Sequence, residues 1–343
     1  MNRFGWTSAG TISEAAAAAS VTVADAMTAT RDTPNGRETS VVKAGGIDLL
    51  DLLKENLLAP TKVVSLKNIA GLEVVTDRAG GLSIASMVTL ANAAVHPLVQ
   101  QRYPALADAL KDSASPQIRN VATLGGNLLQ RPRCWYFRAA EYHCLRKGGG
   151  HCFAISGENQ YHAIFDNQSC AIVHPSTAAT VLVALGATLE LTNSEGVTRN
   201  TLLEDFFVLP DRDIQRENDL EPQEILTAIL LPALPASLRM AHLKQGEKDS
   251  FDWPLADVAV ALDLNSDGGC KGAAIILGAA APVPHRAKVA ENILIGRHVD
   301  DAAAREAAHA ALADATPLTK NVYKLPLFET LVRRSLLKAA IGL

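Results

Sequence analysis

The chain has 343 residues, 48% of them hydrophobic, 20% charged and 5% aromatic, with a formal net charge of −4. That is a globular composition, long enough for two or three domains with a core built mainly of Ala, Val, Leu and Ile. It excludes an electrostatic reason to bind nucleic acid, since no basic stripe alternates with aromatics, and no apolar run approaches the ~20 residues of a membrane helix. The opening, MNRFGWTSAGTISEAAAAAS, carries Glu14 where a secretion signal would have its apolar segment, so no signal peptide is expected. Cysteines number five, and four of them fall between Cys134 and Cys170. Bunching of this kind favours metal or cluster ligation over a disulfide framework, and a reducing compartment at assembly.

Taken in order, residues 11–26 predict a first helix capped by Thr11 or Ser13, and residues 28–40 a polar surface loop. A short β-branched strand then runs from Ser40 through Val41, Val42 and Lys43 into Ala44-Gly45-Gly46-Ile47-Asp48, where a helix opens. Glycines at such a junction permit positive φ and close approach of a ligand, and the free N–H groups at the helix start form an anion site. The motif is neither the G-x-G-x-x-G fingerprint nor a P-loop. KVVSLKNI and LEVVTDRAGGLSIAS read as strands joined by a turn, and residues 88–94 and 104–114 as helices. The window 115–170 then has little regular periodicity, which in a compact domain marks a functional loop. Beyond it come a Pro-started helix, further strands and a boundary at Pro232 and Pro235. The last part reads as strands followed by helices, an α+β domain.

Two candidate sites stand out. A second Gly-Gly turn, Gly125-Gly126, is flanked by Thr123 and Asn127, so two similar turns are available to grip the two ends of a dinucleotide. The cysteines are spaced Cys134-x9-Cys144-x7-Cys152-x17-Cys170. Neither the Cys-x2-4-Cys pairs of a structural zinc site nor the two-residue gaps of bacterial ferredoxins are present. Four thiolates on a Gly-rich loop suit a [4Fe–4S] cube, and between Arg131 and His151 the residues Arg131, Arg133, Arg138, Arg146 and Lys147 stand against the single Glu141 to balance its negative charge. Zinc, or a ligand set using His143, His151 or His162, stays open at this level. Cys270 sits apart, in a Gly-rich turn.

With Ala44-Gly-Gly-Ile-Asp48, Gln117-Ile-Arg-Asn-Val-Ala-Thr-Leu-Gly-Gly-Asn127, Glu224-Ile-Leu226, His242-Leu-Lys244 and Asn321-Val-Tyr-Lys-Leu-Pro-Leu327 in this order, the chain resembles the FAD-binding medium subunit of molybdenum hydroxylases, the xanthine dehydrogenase/carbon monoxide dehydrogenase group. The run LLQRPRCWYFR and the cysteine loop are similar to the bacterial aldehyde oxidoreductase branch, which carries an extra [4Fe–4S] cluster. The resemblance implies an α+β / α/β fold: a two-lobed FAD-binding domain of the vanillyl-alcohol-oxidase (PCMH) type, then a C-terminal antiparallel sheet with helices. The divisions expected are 1–60, 61–235 with the cysteine loop at 131–170, and 236–343. It implies FAD held by residues 41–48 at the pyrophosphate and by Thr123, Gly125, Gly126 and Asn127 at the second turn, with Leu226 and Lys244 near the flavin. Cys134, Cys144, Cys152 and Cys170 are the implied cluster ligands. Two departures are visible: Ser176-Thr177 where relatives often have Ser-Asp, and Ile47 where Thr is common.

The function expected is electron transfer within a molybdenum-dependent aldehyde oxidoreductase. Electrons would arrive from a [2Fe–2S] small subunit served by a large molybdenum-cofactor subunit, and leave to an external acceptor. The compartment expected is the cytoplasm, or the periplasm by co-export with a signal-bearing partner. The alternatives are a zinc-stapled scaffold whose Gly-Gly turns bind nothing, and a flavin oxidase acting alone, for which no acid–base pair stands out.

Overall fold

Three separate sheets organise the chain in a computed structural model that describes residues 1–32, 38–248 and 250–342. The first contains β1 (Gly5–Ser8), β2 (Ser40–Lys43) and β3 (Lys62–Ser65), with β3 in the middle and both pairings parallel. Parallel strands need crossover connections, here the helices Ile12–Ala18, Val23–Asp32 and Ile47–Lys54. Alternation along the strands serves both faces. Val41 and Val63 pack with Leu49, Leu52 and Leu53 on one side, and Val64 with Ala15, Ala16 and Leu66 on the other.

Several expectations change here. The single helix over 11–26 is two helices, because Thr22 and Asp25 form a reciprocal capping box: Asp25 N–H donates to Thr22 Oγ1 (3.2 Å) and Thr22 N–H to Asp25 Oδ2 (3.4 Å). The second helix runs to Asp32, so it takes in part of the expected loop 28–40, of which residues 33–37 lie outside the described residues. Strand β3 does not pair with the segment that follows it. It completes the first sheet. The hairpin forms instead within that next segment, between β4 (Val75–Arg78) and β5 (Gly81–Ala85), where Ala79 (φ 49°) and Gly80 (φ 89°) supply the two left-handed residues of a tight turn.

The second sheet adds β6 (Thr188–Asn193), β7 (Thr198–Leu202) and β8 (Glu224–Leu231) in the order β4-β5-β8-β6-β7, antiparallel throughout. Its core takes in the helices Leu90–Val95 and Pro104–Lys111. It also takes in Thr177–Ala184, a helix buried on every side, whose Thr180 hydroxyl donates to Asp257 across the joint to the third sheet (2.9 Å). That sheet is β12-β11-β10-β9, made of β9 (Leu238–Gln245), β10 (Ala256–Leu264), β11 (Cys270–Gly278) and β12 (His285–Arg286), again antiparallel. Helices Lys288–Leu294, Asp301–Ala310 and Lys324–Ile341 contribute to its apolar core. The architecture is the mixed two-lobed domain plus sheet-and-helix domain that the sequence predicts. Among the described residues no helix is long and apolar enough to cross a membrane.

Candidate cofactor sites

A cleft with a cavity volume of about 470 Å³ lies where the three parts meet. Both Gly-Gly turns open into it. Val42, Ala44, Gly45, Gly46, Ile47 and Asp48 line it from the first turn, Thr123, Gly125, Gly126 and Asn127 from the second, and Leu226 and Lys244 line it as well. The turns also touch each other, since a Cβ on Gly45 would overlap the Val121 carbonyl oxygen. Gly46 has φ 89° and caps the helix Ile47–Lys54 without a side-chain acceptor, so the first-turn N–H groups of that helix remain available to an anion. In the second turn Thr123 Oγ1 accepts from Gly126 N–H at 3.1 Å. Val41 and Lys43 do not line the cleft. Strand alternation sends Val41 into the core, and the Lys43 ammonium turns to the Ala44 carbonyl (3.1 Å) and the Trp6 ring.

Several polar side chains of the cleft already have protein partners. Asp48 accepts from the Arg131 backbone N–H (2.9 Å) and from the guanidiniums of Arg133 (2.9 Å) and Arg138 (2.6 Å), which ties the first glycine turn to the start of the cysteine loop. Ser176 caps the buried helix and donates to Asn127 Oδ1 at 2.5 Å, while Thr177 beside it lines the cleft. Lys244 donates to the Asp112 carbonyl (2.8 Å), and burial lowers its pKa. Sequence reasoning missed Phe251 and Trp253, which reach the cleft from the turn after β9 under the guanidiniums of Arg119 and Arg133, 5.7 and 5.2 Å from the ring centroids. Two large aromatics in an otherwise polar turn are the signal that marks them.

The four clustered cysteines are brought together. Cys134, Cys144, Cys152 and Cys170 line one small cavity with Arg146, His162 and Phe153. Cys270 is buried at the start of β11 and lines neither cavity. Of the three histidines considered, only His162 belongs to the site, with Nε2 3.2 Å from Cys134 Sγ, whereas His151 packs on Phe153. Burial and then nearby Lys324 hold His162 neutral, with a pKa of about 4. Burial pushes the Cys134 thiol up to about 12 and raises Cys144. A hydrogen bond between Cys152 and Cys170 lowers the Cys152 thiol to about 6 and raises its partner, so the pair gives up its first proton readily and its second with difficulty. Among the described residues no three His, Cys, Asp or Glu side chains converge on a point suited to one metal ion. A tetrahedral zinc would draw its four sulfurs to within about 4 Å of one another, whereas a cube spreads them over its corners.

A buried ion triad separates the two cavities. Glu217 accepts from Arg131 (Nε 3.0 Å, Nη2 2.8 Å) and from Arg146 (Nη1 2.6 Å). Arg131 and Glu217 belong to the cleft wall, Arg146 to the cysteine cavity. Burial opposes the charge on Glu217, but the two guanidiniums outweigh it and keep the carboxyl below its ordinary range.

The family of FAD binding domains in molybdopterin dehydrogenases matches residues 2–234, and the CO dehydrogenase flavoprotein C-terminal domain matches residues 241–339. The chain is 33% identical over 284 residues to the aldehyde oxidoreductase FAD-binding subunit PaoB of Escherichia coli (strain K12), covering 82% of this chain and 86% of that one. It is 25% identical to the carbon monoxide dehydrogenase medium chain of Afipia carboxidovorans, covering 86% and 87%. Among solved structures, quinoline 2-oxidoreductase from Pseudomonas putida 86 superposes with a TM-score of 0.72 at 25% identity, over 99% of this chain and 98% of that chain.

Proposed function

The chain belongs to the FAD-binding medium subunits of the molybdenum hydroxylase family, and from that premise we propose that it carries electrons within an aldehyde oxidoreductase, from a [2Fe–2S] subunit to an external acceptor. The observation that carries the reading is the pairing of a cleft walled by two glycine turns with a four-cysteine cavity, one buried carboxylate apart. When bound, FAD supplies reversible one- and two-electron chemistry and a [4Fe–4S] cluster one-electron transfer. Gly45, Gly46, Ile47 and Asp48 would hold the pyrophosphate, where an added side chain at Gly45 would close the approach of the two turns. Thr123, Gly125, Gly126 and Asn127 would form the second grip, and Leu226 and Lys244, which line the same cleft, would lie near the flavin ring.

Cys134, Cys144, Cys152 and Cys170 would ligate the cluster. Four thiols around one cavity, spaced in sequence unlike the Cys-x2-4-Cys pairs of a structural zinc site, support this reading. The aldehyde itself would be oxidised in a large molybdenum subunit, and the compartment, cytoplasm or periplasm, would be set by whichever partner carries an export signal. The reading predicts that an aldehyde bleaches the flavin bands of the assembled complex and leaves the isolated chain unchanged. Bleaching of the isolated chain would make it a self-sufficient oxidase instead.

A further inference from the structure

The triad between the two cavities carries more charge than a simple ion pair needs. Arg131 alone gives Glu217 two hydrogen bonds, and Arg146 adds a second guanidinium to the same oxygen. The Arg146 side chain is 1% exposed, so one positive charge is left over in a region closed to water. Its Nη1 is used by Glu217 and by the Arg216 carbonyl (3.2 Å), while Nε and Nη2 have no oxygen or nitrogen acceptor and the Cys170 thiol is the guanidinium's other side-chain hydrogen-bonding neighbour. A buried excess charge whose remaining donors have only a thiol beside them is destabilising unless an anion meets it. The cavity that Arg146 lines is the cysteine cavity, and Cys170 is its neighbour there.

We propose that Arg146 is a binding residue of the cysteine site, donating to the anionic cluster from Nε and Nη2, and that Glu217 couples this site electrostatically to the flavin cleft through Arg131. The inference rests on the cluster reading above. A [4Fe–4S] cube with four thiolates is a net anion, and hydrogen bonds to its sulfurs and nearby positive charge raise its potential. One-electron reduction adds a negative charge beside Arg146. Because one carboxylate serves both guanidiniums, the change in field reaches Arg131 on the cleft wall, and by linkage a charge change at the flavin acts back on the cluster. The two midpoints are thereby tied to each other by groups that water does not screen.

The test is a redox titration of the assembled complex, with the cluster followed by electron paramagnetic resonance and the flavin by its visible bands, beside iron and flavin counts and a melting temperature. Arg146→Gln should move the cluster midpoint to a more negative value, or lose iron while flavin and melting temperature are kept. Arg146→Lys should recover part of the loss. Glu217→Gln should raise both midpoints, and Glu217→Asp, which keeps the charge, should leave the flavin nearer its original value and serves if Glu217→Gln does not fold. Arg146→Gln with full iron at the original midpoint would overturn the binding role, and a Glu217→Gln cluster shift with an unmoved flavin would overturn the coupling. Failure of the underlying reading shows separately, as an unsubstituted chain with flavin and no iron.

Discussion

Gly45 and Val121 come from different lobes, and their backbones are packed so closely that a Cβ on Gly45 would overlap the Val121 carbonyl oxygen. This contact makes one cradle of two turns more than 70 residues apart in sequence. Backbone atoms cannot rotate away as a side chain would. Gly45→Ala should therefore force the turns apart, at a cost of about 1–3 kcal/mol, and should release FAD while the iron content proposed for the cysteine site is unchanged. Flavin content measured beside the melting temperature decides it: a fully flavinylated Gly45→Ala protein would mean that the contact does not shape the cradle.

Asp48 stands where the first turn meets the cysteine loop, holding Arg131, Arg133 and Arg138 at once. Replacing it with Asn keeps the shape and removes the charge that two guanidiniums share. The expected loss is on the order of 2 kcal/mol, with weakened retention of both cofactors. A urea melt checks the stability, and unchanged flavin and iron in Asp48→Asn would show that the two sites are anchored independently.

The cysteine assignments separate cleanly by position. Cys144→Ser or Cys152→Ser should lower iron content and loosen the loop, since both line the shared cavity. Cys270→Ser should do neither, because its thiol donates to the Gly272 carbonyl (3.4 Å) and lines neither cavity. The opposite pattern, with iron lost from Cys270→Ser and kept in Cys144→Ser, would mean a different ligand set.

Lys324 gives a pH dependence with a definite sign. Its ammonium is fully buried and donates to the carbonyls of Tyr161, His162 and Ala279, and burial lowers its pKa from 10.5 to about 7. Between those values the unfolded chain holds a proton that the folded chain does not, so stability should rise with pH through this window, by on the order of 1 kcal/mol per pH unit. Below about pH 7 both states are charged and the slope should vanish. Lys324→Met should flatten the slope in denaturant melts between neutral and mildly alkaline pH. An equal slope in Lys324→Met would assign it to another group.

The sites were legible wherever chemistry is local. A glycine pair after a β-branched strand and four bunched cysteines announce themselves, and the C-terminal domain follows from strand-length apolar runs such as Ala256–Leu264 followed by helical ones. Long-range pairing was not legible: β3 joins β1 and β2 in parallel, and nothing in KVVS distinguishes that from a hairpin with the next strand. The capping box at Thr22 and Asp25 was readable, and taking the Ala-rich run as one helix passed over it. Glu217 is the instructive omission. It sits in the polar run DRDIQRENDLEPQ, which reads as solvated loop, yet it is buried because Arg131 and Arg146 reach it from 86 and 71 residues away. A buried charge is visible in sequence only with its partners, and these partners are distant.

The measurement that bears most directly on the account is the cofactor content of the chain purified without oxygen, by visible spectrum and by flavin, iron and zinc analysis. The account predicts oxidised flavin bands, one flavin and about four irons per chain, the content of one [4Fe–4S] cluster. A colourless protein containing zinc would contradict it.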